Sequence, residues 1–201
     1  MITVPESSTN SAAFTIDPYE AKINGSIAQS TSGVAPEVNV DFATAKAACE
    51  AAGKRLCTTT EWVAACKGAN NRLFGFQDSS SSPLLLTDIC DVARTTNNTP
   101  GSLPSLTGAH PKCVTDGIAV FDLIGNLSEW TINPSDVPTA SGVAFYQDIS
   151  VSDCNGGLVD PGSTIIAPTT KSTDLGFRCC KDITTGSTNS GSGSSPPTFP
   201  F

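Results

Sequence analysis

The residues best placed to do chemistry lie in Phe121-Asp122-Leu123-Ile124-Gly125-Asn126-Leu127-Ser128-Glu129-Trp130, where two carboxylates stand seven positions apart on either side of a glycine. A chain that turns at Gly125 brings Asp122, Glu129 and intervening carbonyls around one cation. Hard oxygen donors of this kind suit calcium, which takes about six to eight oxygens, whereas zinc wants the His and Cys this stretch lacks. The same spacing also describes a polar turn before a strand, with Asp122 bonded to loop N–H groups and Trp130 buried. The single histidine, His110, sits in a polar loop, and no cysteine–histidine or serine–histidine pair is argued from it. The eight cysteines are Cys49, Cys57, Cys66, Cys90, Cys113, Cys154, Cys179 and Cys180. None forms a Cys-x-x-Cys zinc pair, and an even, dispersed set reads as disulfides made in an oxidising compartment. Their order alone does not choose the pairing.

Several elements must position these groups. Phe14 and Ile16 alternate with Thr15 and Asp17 in a strand over 14–22 broken by Pro18, and the Gly-, Ser- and Asn-rich stretch 24–33 reads as loop. Asp41 caps a helix that Gly53 stops, with Phe42, Ala45, Ala48, Cys49 and Ala52 on one face. Thr58-Thr59-Thr60-Glu61 is a capping box that opens a second helix running to Gly68, which explains Glu61 structurally and leaves Trp62 for the core. Residues 69–117 hold turn-forming clusters at 79–83, 97–104 and 108–112 and little periodicity, so the section needs staples, and Cys90 and Cys113 bracket it. Beyond Trp130 the chain is turn-rich to Gly142, then shows a possible strand at Val143 to Val151 and a terminal strand from Leu175 to Cys180. Residues 183–201 form a Gly/Ser/Pro tail whose Phe199 and Phe201 can dock in a neighbour's groove or on a sheet edge.

Composition narrows the function classes. A chain of 201 residues makes one domain with room for a core, and no apolar run approaches the ~20 residues of a membrane span. Met1 to Ser11 lacks the basic and apolar regions of a signal peptide. With 19 Asp and Glu against 11 scattered Lys and Arg, a net charge of −8 leaves no basic face for nucleic acid.

Three stretches in this order, Gly53-Lys54-Arg55-Leu56-Cys57-Thr58-Thr59-Thr60-Glu61-Trp62, the Asp122–Glu129 segment and Leu175-Gly176-Phe177-Arg178-Cys179-Cys180, resemble the signatures of the formylglycine-generating, or sulfatase-modifying factor, family. Phe14 to Glu20 looks like that family's opening strand with its glutamate. The resemblance implies an α+β, C-type-lectin-like fold of two helices, short strands and much irregular loop, braced by disulfides, over residues 14–182, with 1–13 as an N-terminal extension and 183–201 as tail. It implies Ca2+ held by Asp122, the carbonyls of Gly125 and Leu127, and Glu129. It also implies a bond from Cys49 to Cys179, and on that pattern Cys57 to Cys180, Cys66 to Cys154 and Cys90 to Cys113.

The family's catalysts carry an Arg-Gly-Gly-Ser segment and two copper(I)-binding cysteines between the calcium motif and the last strand. Here that interval has one cysteine, Cys154, and no arginine before Arg178. A linear copper(I) dithiolate cannot be built from one thiol. The expectation is therefore a non-catalytic binding or structural module, extracellular or on a cell or particle surface, whose partner is a protein, a glycan or copies of itself. The alternatives are a copper oxidase of the formylglycine-generating type with an altered centre, and a subunit that self-assembles through its tail.

Overall fold

The structure, a computed structural model, describes residues 1–7, 12–76, 89–92, 103–147, 153–155 and 164–183. Its helices are α1 (Phe42–Ala51) and α2 (Thr59–Lys67). Local chemistry accounts for both. Asp41 accepts from the Thr44 N–H at 2.9 Å, satisfying a donor that the first turn leaves unpaired. At α2 the capping box is complete: Glu61 N–H donates to Thr58 Oγ1 at 3.2 Å, and Thr58 N–H donates to Glu61 Oε2 at 2.8 Å. Glu61 also holds the Arg55 guanidinium through two bonds of 2.7 and 2.6 Å, tying the start of α2 to the strand before it.

The strands are short: β1 (Ile2–Val4), β2 (Phe14–Ile16), β3 (Ala21–Asn24), β4 (Ile27–Ser30), β5 (Arg55–Leu56), β6 (Ser128–Ile132), β7 (Pro138–Ser141), β8 (Thr164–Ile165), β9 (Leu175–Phe177) and β10 (Cys179–Asp182). One sheet runs β1-β2-β10-β5, a second runs β8-β7-β6-β9, and β3-β4 is a separate hairpin. Within the second sheet β9 lies parallel to β6, with Glu129 opposite Gly176. Two apolar cores result. Phe14, Ile16, Trp62, Val120 and Leu123 fill one, and Ala45, Leu56, Trp130 and Phe177 fill the other.

Four sequence expectations change. Ile2–Val4, expected within an extension, pairs with Phe14–Ile16 as an edge strand and buries Val4. The stretch from Asn24, expected as loop, turns at Gly25 (φ +66°) between two paired strands. The strand expected from Val143 lies earlier, at Pro138–Ser141, and none is found over 143–147, while 148–152 lie outside the described residues. The terminal strand is two strands parted at Arg178, where the chain leaves the second sheet and enters the first. The turn clusters 79–83 and 97–102 and the tail with Phe199 and Phe201 lie outside the described residues.

Four disulfides brace the chain: Cys49–Cys179, Cys57–Cys180, Cys66–Cys154 and Cys90–Cys113. They are the pairs the resemblance implies. The first two clamp α1 and the end of β5 to β10, and the fourth closes the irregular section. Four such bonds are consistent with an oxidising, extracellular compartment. Among the described residues no helix is long and apolar enough to cross a membrane.

Candidate functional site

The site grows from a contact between two distant turns. The Tyr19 and Phe121 rings stack with centroids 5.0 Å apart, and Phe121 N–H donates to Pro18 O at 2.8 Å. The residues that follow, Glu20 and Asp122, are thereby both turned into the interior and are almost fully buried. Asp122 (φ +57°), Gly125 (φ +86°) and Asn126 (φ +58°) all occupy the left-handed region, so the loop coils tightly. Gly125 is required there: a Cβ on it would lie 2.3 Å from Asp91 O.

Three carboxylates, Glu20, Asp122 and Glu129, share this interior with one cation, Arg178, each of the four no more than 3 % exposed. Glu129 belongs to Arg178. Its Oε1 accepts from Arg178 Nε and Nη2 at 2.9 and 2.6 Å, while Oε2 accepts from Arg178 Nε at 2.8 Å and from Trp62 Nε1 at 2.9 Å. Arg178 Nε carries one hydrogen shared between the two oxygens, so three N–H groups converge on this carboxylate. The resemblance assigns Glu129 to calcium; in the structure its side chain makes an ion pair with Arg178. Arg178 is itself held by the carbonyls of Asp17, Pro18 and Phe121. Burial alone would lower its pKa, but the Glu129 charge and hydrogen bonds outweigh that and raise it.

Glu20 and Asp122 are left without a cation of their own. Glu20 Oε2 accepts from Asn126 Nδ2 at 2.6 Å and Oε1 from Leu127 N–H at 3.2 Å, while Asp122 Oδ2 accepts from Gly108 N–H at 2.7 Å. Burial, then the charges of Asp122 and Glu129, push the Glu20 carboxyl well above its usual range, against the pull of Arg178 and Asn126. Burial also raises Asp122, opposed by the Gly108 bond, Arg178 and His110. Beside them Asn126 Oδ1 is buried with no hydrogen-bond partner, which costs about 1–3 kcal/mol if nothing satisfies it.

Two surplus negative charges and one orphaned oxygen are what a divalent cation would complete. Among the described residues no three His, Cys, Asp or Glu side chains converge on one point. A cation here would therefore take two carboxylates and fill its shell with amide and main-chain oxygens, a mixture calcium accepts and zinc does not. The donor set fits calcium.

Glu20 is the member of this buried cluster that sequence reasoning did not place there. Its signal was present only as the glutamate of the opening strand, over one hundred residues from its neighbours. His110 also has a partner that sequence did not argue: Ser105 Oγ lies 3.3 Å from its Nε2. Among the described residues no hydrogen bond from that ring to a carboxylate is found, the bond that would orient a catalytic base.

Two sheets, two helices and four disulfides around a coiled interior loop define an α+β protein of the C-type-lectin-like class. Residues 19–183 match the FGE-sulfatase family, the sulfatase-modifying factor enzyme 1-like domain, and the chain belongs to that family. Among solved structures the chain is similar to PvdO from Pseudomonas aeruginosa, at 15% identity and a TM-score of 0.60 over 86% of this chain and 82% of that one. It is similar to the Treponema denticola variable protein 1, at 15% identity and a TM-score of 0.60 over 90% and 91%, and to CarF, at 14% identity and 0.56 over 86% and 87%. At these identities the likeness is one of fold. No curated protein matches the chain by sequence.

Proposed function

We propose that this chain is a non-catalytic, extracellular binding module that presents its loops on a calcium-braced, disulfide-braced scaffold. The observation that carries the reading is the fate of the thiols. Cys154, the one cysteine between Trp130 and Leu175, is bonded to Cys66, and no cysteine is free. Copper(I) chemistry of the family's catalytic kind needs a thiolate pair in that interval, and this chain brings no second thiol to it.

Calcium supports the scaffold in this reading. Glu20 and Asp122 hold it, with the carbonyls of Gly125 and Leu127 from the resemblance and the orphaned Asn126 oxygen as further donors, while Glu129 stays with Arg178. The ion supplies positive charge to an interior that otherwise keeps two carboxylates at raised pKa. Its role is structural, since binding the folded state alone stabilises it by RT ln(1 + [Ca]/Kd), about 2.7 kcal/mol at a hundredfold excess over Kd.

Two measurements test the two halves. Incubation with copper(I), oxygen and a cysteine peptide of the sulfatase type should leave the peptide mass unchanged; conversion to formylglycine would overturn the non-catalytic half. Calcium added to metal-free protein should raise the melting temperature by about 5–11 °C at that excess, taking 2–4 °C per kcal/mol for a chain of this size. Glu20→Gln combined with Asp122→Asn should remove the rise, and equal melting with calcium and with chelator in the unaltered chain would end the calcium half.

A further inference from the structure

The groove at the end of the second sheet carries the strongest unassigned chemistry. It has a volume of about 270 Å³ and is lined by Ser128, Gln147, Ile166, Thr170, Ser172 and Asp174 together with small and apolar neighbours. That is the small end of ligand sites, which run from roughly 300 to 1,000 Å³. Among the described residues no Lys or Arg lines it, so phosphate and carboxylate ligands find no counter-charge in that lining, and Asp174 repels them.

Asp174 is held from three sides. Ser172 Oγ donates to its Oδ1 and Tyr146 Oη to its Oδ2, while Ser128 N–H donates to its main-chain carbonyl at 3.0 Å. Burial and the neighbouring Asp174 push the Tyr146 phenol up to about 12, so it remains a donor across ordinary pH. A carboxylate has about four acceptor positions, and Asp174 has used two of them. Gln147 is oriented in the same way: its Oε1 accepts from Ala144 N–H at 2.7 Å, which leaves the NH2 as the donor it brings to the wall. The groove thus offers one preset acceptor and one preset donor. Tyr146, a residue 44 % exposed, stands next to the lining through its bond to Asp174, and Ile166 adds an apolar surface to the wall.

We propose that this groove binds a carbohydrate, a neutral pyranose with vicinal hydroxyls. One hydroxyl donates to Asp174 and its neighbour accepts from Gln147, while the apolar C–H face of the ring lies on Tyr146. Ser128 and Ser172 give their hydrogens to Gly142 O and Asp174 Oδ1 and offer the ligand acceptor oxygens, which suit a sugar hydroxyl because it can donate as well as accept. A peptide offers a backbone N–H and C=O of fixed role, and would leave those wall hydroxyls partly unused. The inference rests on the binding-module reading and names its ligand class.

The test is a titration of the full, disulfide-bonded, 15N-labelled chain with the methyl glycosides of mannose, glucose, galactose and N-acetylglucosamine, followed by amide shifts. The expected result is saturable shifts at 144–147 and 172–175 with at least one glycoside. Asp174→Asn and Gln147→Ala should each weaken binding about tenfold or more, which is 1.4 kcal/mol per tenfold, with unchanged melting. No shift with any glycoside, shifts confined to another face, or preferential binding of an uncharged peptide in the groove would each overturn the proposal. The binding-module reading fails separately, by formylglycine formation in the copper assay.

Discussion

Replacing Arg178 with Met should show how much of this fold depends on one buried ion pair. Met has a similar apolar length but no donor, so Glu129 would keep only the 2.9 Å bond from Trp62 Nε1, and the Phe121 carbonyl would lose its 2.9 Å partner. Glu20, Asp122 and Glu129 would then share an interior with no buried cation. Removing one partner of a buried pair costs about 3–5 kcal/mol, because the remaining charge is neither solvated nor paired. For a chain of this size, at 2–4 °C per kcal/mol, the melting temperature should fall by about 6–20 °C. Cys179 and Cys180, the next two residues, remain cross-linked, so the variant should still fold and the loss can be measured. Thermal and urea unfolding in chelator, with disulfides intact, give the value. The reasoning makes a second, sharper demand: adding Glu129→Gln to Arg178→Met removes the stranded charge and should recover about 2 kcal/mol or more. An Arg178→Met variant melting within two degrees or so of the parent, or a double variant no more stable than the single, would refute the account.

Three further outcomes follow from the same geometry. In metal-free protein, Glu20 and Asp122 have folded pKa values raised above their unfolded ones of about 4.3 and 3.9, so their contribution is full below about pH 4 and is lost as pH rises through the folded values. Unfolding free energy in chelator should accordingly fall as pH rises from 4 toward neutral, by up to about 1.4 kcal/mol per pH unit for each proton, with the melting temperature falling alongside, and Glu20→Gln should flatten that slope; a rising curve would contradict the burial of these groups. Gly125→Ala should cost about 3 kcal/mol, since it sets a methyl against Asp91 O in the left-handed region, and parental melting would show the turn to be looser than described. Thr58→Ala should lower stability by about 0.5–2 kcal/mol through loss of the α2 cap, with protection of the Glu61 amide from hydrogen exchange falling first.

What the sequence made legible was local or carried by an ordered set of motifs. The caps at Asp41 and Thr58, the stop at Gly53 and the burial of Cys49 each follow from chemistry within a few residues, and the structure shows all of them. The strands were less legible because most are two to four residues long, too short for a period of two to stand out. Ile2–Val4 is a strand only because Phe14–Ile16 lies beside it, and no pattern within three residues announces a partner. The partners within the charged cluster were hidden for a related reason. Asp122 and Glu129 look equivalent along the chain, yet Arg178 claims one and leaves the other, and that division depends on a residue 49 positions beyond Glu129. Glu20 is harder still, because the groups its carboxyl accepts from, Asn126 and Leu127, lie at separations of 106 and 107.

The position of β10 has a consequence for how the chain is made. It lies between β2 and β5 in the first sheet, so two strands from the first third of the molecule have no shared neighbour until residues 179–182 emerge. Cys57 and Cys180 are separated by 123 residues, which at roughly 5–20 residues per second is about 6–25 s of synthesis. Through that interval Cys49 and Cys57 are thiols without their partners, while Cys66, Cys90 and Cys113 appear one after another within reach. The pairs made by Cys49 and Cys57 are therefore decided after the last strand arrives, and any earlier cross-link among the first five cysteines other than the native Cys90–Cys113 must be broken again by thiol exchange. The yield of correctly oxidised protein should accordingly track the thiol-exchange capacity of its surroundings more closely than the stability of the finished fold.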